Sequence, residues 1–247
     1  MGTGAGLIPF LPDFITVATH VATQVLKILT VTNLQMPIYY KERAVPIKRV
    51  AFFLCLLYNR FIKEIMEVYM RKALVVVDMQ VDFTTGALAN EEAVKVIPAI
   101  AKKVEAALNS GADVYFTRDT HYDNYMSTEE GKNLPVPHCI KDTAGWEIVP
   151  ELKALSEKNG VVIVDKPVFG SVSLGETLKE TAAYDEVELV GVCTDICVIS
   201  NAMIVRAFLP NTHVKVDASC CAGITVESHL NALEAMKMCQ VEVINLN

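Results

Sequence analysis

From residue 70 onward, short runs of Val, Ile and Leu alternate with longer stretches in which apolar residues recur at helical spacing. The runs ALVVVD (73–78), DVYFTRD (113–119), VVIVDK (161–166), VELVGV (187–192), HVKVDA (213–218) and VEVINL (241–246) have the length and β-branched content of strands. Helices are predicted between them at 91–109, 147–158, 175–183, 196–208 and 225–238. In the first of these Val94, Ile97, Ile100, Ala101 and Val104 fall on one stripe; in the last, Val226, Leu230, Leu233 and Met236 do. Strands that are apolar almost throughout need cover on both faces, so the pattern predicts a doubly wound α/β fold with a parallel sheet. Right-handed crossovers then bring every strand's carboxyl end to one edge, where such sheets bind ligands. Two connections at that edge are long, 118–146 and 166–174, and mark where a site should be sought.

Residues 1–69 do not share this rhythm. They hold a weakly amphipathic stretch at 14–31, irregular sequence, and an apolar run, AFFLCLLY at 51–58, that is too short to span a membrane. The opening MGTGAGLIPFLPDF lacks the basic region of a signal peptide. Charge changes sign as well. Seven Lys/Arg (27, 41, 43, 48, 49, 60, 63) face four acids (13, 42, 64, 67), a net of +3, so of the total of -7 the remainder carries -10. A boundary near 70 is expected, with 1–69 an unassigned N-terminal extension and 70–247 the functional domain. Met70 directly precedes the first strand. The codons of Met66-Glu67-Val68, ATG GAR GTN, can contain GGAGGT, a bacterial ribosome-binding sequence, just ahead of it. The expectation is that translation starts at Met70 and that 1–69 lies upstream; the rival is an appended partner-binding or lid element.

Composition narrows the class. With 52% hydrophobic residues the chain can bury a sizeable core, and a net charge of -7 argues against a nucleic-acid partner. Seven cysteines, an odd number with Cys220 beside Cys221, make a poor disulfide framework and suit a reducing cytoplasm. No membrane association is expected, and assembly into identical copies stays open.

Three strand ends carry reactive groups: Asp78 closes the first strand, Lys166 the third, and Cys197 opens the helix after the fourth. A helix N-terminus and a nearby ammonium favour thiolate. Asp78 could take the thiol proton and return it to a leaving amine, while the backbone N–H groups of Cys193 and Cys197 could hold the oxyanion formed on an amide carbonyl. Singly, each has an ordinary reading: a turn-forming acid, a solvated lysine, a small buried cysteine. In the long loop, Asp119 and His121 are two apart at a strand end and His138 follows. A carboxylate with two imidazoles suits zinc or another divalent transition metal such as iron or manganese, with positions left for water or substrate; the plain alternative is a capping acid and polar loop histidines. The Cys193–Cys197 spacing does not match a redox CxxC. His20, His213 and His229 read as structural or surface residues, and Cys139, Cys220, Cys221 and Cys239 as small buried ones.

DMQVDF (78–83), the Lys166 segment and GVCTDICV (191–198) together resemble the isochorismatase-like cysteine hydrolases, and RDTH…H (118–138) resembles the metal loop of their nicotinamidase branch. The likeness covers 70–247. It implies a three-layer α/β/α domain whose six-stranded parallel sheet has the order 3-2-1-4-5-6. It implies Asp78, Lys166 and Cys197 as a catalytic triad and a cis peptide at Val192–Cys193. It further implies a metal on Asp119, His121 and His138 that binds the pyridine nitrogen of nicotinamide, and Phe83 packed on the ring. Where some relatives have another histidine, this chain has Ser127; Glu130 best matches the glutamate others use. The aromatic usual before the last metal histidine is replaced by Leu134 and Pro135, so the ring packing is incomplete. The expected activity is hydrolysis of a small carboxamide, nicotinamide first, through a thioester. The rivals are another amidase of the superfamily, isochorismate ether cleavage, and a non-catalytic ligand-binding protein.

Overall fold

The computed structural model describes residues 37–40, 43–46 and 70–246. The stretches 14–31 and 51–58 and His20 lie outside them. The chain divides into two compact units, Met1–Tyr69 and Met70–Asn247. In the first, strands β1 (Pro37–Tyr40) and β2 (Arg43–Pro46) pair antiparallel, with Ile38 opposite Val45. This stretch has no strand-like periodicity in the sequence, because four-residue strands with proline at their ends carry little periodic signal.

The second unit is built on six strands: β3 (Lys72–Val77), β4 (Asp113–Asp119), β5 (Val162–Lys166), β6 (Glu186–Val192), β7 (His213–Ala222) and β8 (Glu242–Ile244). All pair in parallel in the order β5-β4-β3-β6-β7-β8, which is 3-2-1-4-5-6 counted from β3. Seven helices accompany them: α1 (Val81–Thr84), α2 (Glu91–Ser110), α3 (Glu129–Asn133), α4 (Pro150–Ser156), α5 (Val172–Thr181), α6 (Ile199–Phe208) and α7 (Val226–Met238). Alternation along β3 shows why both faces must be covered. Ala73, Val75 and Val77 pack with Leu174 and Leu178 of α5, Val205 of α6 and Leu233 of α7. Leu74 and Val76 pack on the opposite side with Ile97, Ile100 and Val104 of α2 and Leu152 of α4. These strand residues are at most 4% exposed, so each face withdraws a continuous apolar surface from water.

Helix boundaries follow local chemistry. The Asn90 side chain accepts from the N–H groups of Glu92 and Ala93 to start α2, and Gly111, at φ 79, ends it. The expected helix at 147–158 begins only at Pro150. Its first residues instead run extended, bridging Gln80 to Ile148, with the Val149 N–H donating to Met79 O. The helix expected at 175–183 spans Val172–Thr181, because the Ser171 hydroxyl caps the Leu174 N–H at 3.0 Å. Strand β7 runs on to Ala222, through Cys220 and Cys221. Cys239, expected to be buried, is exposed just after α7. Among the described residues no helix is long and apolar enough to cross a membrane.

Candidate active site

Three strand ends converge on one buried ammonium. Lys166, the last residue of β5 and fully buried, places Nζ 2.7 Å from Asp78 Oδ2, 3.2 Å from Asp119 Oδ1 and 3.7 Å from Cys197 Sγ. It also donates to Val168 O at 3.1 Å. Asp78 follows β3 with a left-handed φ of 49, a conformation that costs a non-glycine residue energy and survives only where surroundings hold it. Thr117 on β4 supplies that hold: its hydroxyl donates to Asp78 Oδ1 at 2.6 Å, and both its hydroxyl and carbonyl oxygens lie 3.2 Å from the Asp78 nitrogen. Across the sheet, Gly191 at φ 117 lets β6 approach the end of β3; a Cβ there would sit 2.1 Å from Val77 O.

Cys197 does not sit at the start of an ordinary α-helix. The Val192–Cys193 peptide is cis, and residues Thr194–Val198 form a π-turn before α6. The Cys193 carbonyl accepts from the N–H groups of Ile196 and Val198, at 3.1 and 3.0 Å. Among the described residues the Cys193 N–H has no acceptor. The Asn201 side chain fixes the turn by donating to Cys197 O at 2.8 Å.

Burial is the largest influence on the Cys197 thiol and raises it well above its ordinary value; Asp78 adds to this, and Lys166 only partly offsets it. Burial also raises Asp78, against the pull of Lys166 and the Thr117 hydrogen bond. Lys166 Nζ, 2.7 Å from Asp78 Oδ2 and 3.7 Å from Cys197 Sγ, holds the carboxyl group beside the sulfur, where a proton acceptor is needed when attack begins.

Beside this group lies a second cluster. Asp119, His121, Glu130 and His138 each offer one ligand atom, all within 4.8 Å of one another. His121 Nε2 lies 2.8 Å from Asp119 Oδ2 and 3.5 Å from Glu130 Oε1; His138 Nε2 lies 3.4 and 3.6 Å from the same oxygens. The donor set fits a divalent transition metal on two further counts. His121 Nε2 is buried and makes no well-directed hydrogen bond, although Asp119 Oδ2 lies 2.8 Å away. His138 Nδ1 lies 2.8 Å from Val136 O, an acceptor, so it carries the proton and leaves the Nε2 lone pair facing the cluster. Tyr125, which the sequence reading passed over, packs its ring against both imidazoles at 4.7 and 5.1 Å. Glu130 arrives on α3, a short helix capped by Thr128 that the long-loop reading did not resolve.

Both clusters open on a cavity of about 490 Å³. Asp119, Glu130, His138, Cys193 and Cys197 line its polar side, and Phe83, Leu88, Leu134, Phe169, Ile196 and Ile224 its apolar side. The Phe83 ring meets His138 edge-on at 5.6 Å. Every sequence-predicted site residue thus reaches the cavity or touches a residue that does. Of the remaining histidines, His213 lies near Glu186 and Glu242 on the surface, and His229 pairs with the Thr194 hydroxyl at 2.8 Å.

A thiol, a carboxyl group and an ammonium thus meet at the carboxyl edge of a parallel α/β sheet, the place where such sheets bind ligands. The family model described as Isochorismatase domain matches residues 72–247, and the chain belongs to that family and is a hydrolase. A nicotinamidase/pyrazinamidase of Mycobacterium tuberculosis is 30% identical over 190 residues, covering 70% of this chain and 98% of the relative. The pyrazinamidase of Pyrococcus horikoshii, solved in complex with zinc, is 28% identical with a TM-score of 0.62, covering 71% of this chain and 99% of that one. The N-carbamoylsarcosine amidase of Thermoplasma acidophilum is 26% identical with a TM-score of 0.59, covering 70% and 95%.

Proposed function

We propose that residues 70–247 hydrolyse nicotinamide to nicotinate and ammonia, with Asp78, Lys166 and Cys197 as the catalytic group. The observation that carries this is the single buried ammonium shared by Asp78, Asp119 and Cys197. Asp78 takes the Sγ proton as sulfur forms its bond to the carboxamide carbon. The carbonyl becomes an oxyanion facing the backbone N–H groups of Cys193 and Cys197. As the intermediate collapses, the carbon–nitrogen bond breaks and Asp78 returns its proton to the departing NH2, releasing ammonia. Water then attacks the thioester, giving a proton to Asp78; the carbon–sulfur bond breaks, and the thiol regains its proton. Lys166 favours the ionised form of Asp78 against an apolar shell that favours its neutral form.

Asp119, His121, Glu130 and His138 would hold one divalent transition metal, with zinc the first choice given the zinc complex of a relative. A metal bound there supplies a Lewis acid for a ring nitrogen. Phe83 would pack on the ring. A second amide is worth setting beside nicotinamide, because Leu134, not an aromatic residue, lines the cavity and a relative acts on a carbamoyl amide. The test is ammonia release across nicotinamide, pyrazinamide and N-carbamoylsarcosine, with the acyl-enzyme trapped for mass spectrometry. A covalent adduct on Cys197 with nicotinamide is expected; turnover of none of the three overturns the reading.

A further inference from the structure

The DMQVDF turn holds more than its first and last residues. Gln80 and Asp82 face neither the cavity nor solvent alone; each grips the main chain beside a member of the four-residue cluster. The fully buried Gln80 side chain accepts the Asp119 N–H at 2.7 Å and donates to Asp119 O at 2.9 Å, with a third bond to Trp146 O at 2.8 Å. It therefore satisfies both backbone groups of the residue whose carboxylate faces the two imidazoles. Asp82 Oδ2 accepts the Cys139 N–H at 2.7 Å, and Oδ1 accepts the Ala87 N–H at 3.0 Å.

The Asp82 contact falls where the chain most needs one. Cys139, directly after His138, has a left-handed φ of 45. A cysteine stays there only when neighbours over-determine the turn. Two restraints do so: the Cys139 carbonyl accepts the His121 N–H at 2.9 Å, and Asp82 takes the Cys139 N–H. The carboxylate in turn needs space. A Cβ on Gly145 would sit 2.2 Å from Asp82 Oδ2, and one on Gly86 2.3 Å from Oδ1.

We infer that Gln80 and Asp82 are positioning residues that set the spacing of Asp119 and His138, with Gly145 keeping the Asp82 carboxylate in place. This rests on reading the cluster as a metal site. Partners that orient metal ligands in this way typically alter affinity by roughly 10–100-fold when removed.

The test is Zn²⁺ affinity of the full chain, stripped with a chelator and titrated against a chromophoric competitor, with far-ultraviolet circular dichroism to confirm folding. Asp82→Ala and Gln80→Leu are expected to weaken Zn²⁺ binding roughly 10–100-fold with all four ligands intact. Asp82→Asn, which keeps one acceptor oxygen, recovers part of the loss. Gly145→Ala reproduces the Asp82→Ala loss, and the double variant is no weaker than either alone, since both act through one contact. If Gln80→Leu does not fold, the Asp82 and Gly145 variants decide. Wild-type affinity in folded Asp82→Ala overturns the inference alone. Failure of the wild-type chain to bind Zn²⁺ saturably overturns the metal reading and this inference with it.

Discussion

The catalytic unit contains two networks of charge, and they are built on opposite rules. Around Lys103 and Lys215, every acid has several partners. Lys103 bridges Glu188 and, at 2.7 Å, Asp217; Lys215 bridges Glu186 at 2.9 Å and Glu188 at 3.2 Å. Asp217 also accepts from the Ser219 N–H and hydroxyl and from Asn245. Around Lys166, one ammonium serves two carboxylates and a thiol. There Asp78 Oδ2 and His121 Nε2 lack any well-directed hydrogen bond, and Asp78 carries a left-handed backbone. A network whose members are all satisfied stabilises the fold. One that is buried and short of partners stores the need for a proton, a substrate or a metal.

The sharpest way to break this comparison is at the sulfur. Cys197→Ala and Asp78→Asn are each expected to lower ammonia release by about 10³-fold or more, since they remove the proposed nucleophile or its proposed base. Asp78→Asn also takes one of two carboxylates from the fully buried Lys166 ammonium, so calorimetry beside the activity assay separates lost chemistry from lost stability.

Lys103→Ala inverts the pattern. It leaves Glu188 with Lys215 and Asp217 with only the neutral donors Ser219 and Asn245, at side chains 14% and 2% exposed, and is expected to cost about 3 kcal/mol of stability. Turnover measured below the lowered Tm should stay within a few-fold of wild type. Denaturant titration gives the first quantity and steady-state kinetics the second.

The sequence made one network legible and not the other, for physical reasons. Asp78, Lys166 and Cys197 stand out because unlike reactive groups at successive strand ends are rare, and an edge-sharing sheet turns that coincidence into proximity. Asp119, His121 and His138 stand out by ligand type. Helix α2 was readable to within a residue because its stripe, Asn90 cap and Gly111 stop agree. Thr117, Gln80 and Asp82 gave no such signal. Their work is to satisfy backbone or carboxylate groups 39 to 57 residues away, a pairing that only the folded register creates. The π-turn at Thr194–Val198 was likewise hidden, since its apolar pattern reads as plain helix. Lys103, Glu188 and Asp217 look like ordinary surface charge until β6 and β7 meet α2.

Acid provides a gentler probe of the satisfied network. Burial would raise the Asp217 carboxyl, but hydrogen bonds from Lys103, Ser219 and Asn245 outweigh it and hold the group below its ordinary value. A depressed carboxyl contributes stability above its unfolded pKa of about 3.9 and loses it as pH falls through the folded value. Asp217→Asn should therefore be less stable than wild type at pH 7, with the gap narrowing below about pH 4. Tm measured from pH 7 to 3 tests this, and a gap that widens with acid would reverse the sign of the argument.

The smallest effect separates two cysteines four residues apart. Cys193 and Cys197 both border the cavity, and both thiols are raised by burial, Cys193 to about 12. What distinguishes them is the company of a base. Cys197 Sγ lies 3.7 Å from Lys166 Nζ, which holds Asp78 Oδ2 at 2.7 Å, so a base stands beside its proton. For Cys193 the next influences after burial are the charges of Asp195 and Asp78, which hold the proton on sulfur. The part Cys193 plays in the proposed reaction is carried by its backbone: a carbonyl that anchors the π-turn and an N–H aimed at the oxyanion. Removing its sulfur leaves both in place. Cys193→Ala is therefore expected to change kcat/KM by less than about threefold, which is under 0.7 kcal/mol of transition-state stabilisation. A thiol-specific alkylator should still inactivate this variant by modifying Cys197. A drop as deep as that of Cys197→Ala would move the nucleophile, or part of its proton path, to Cys193.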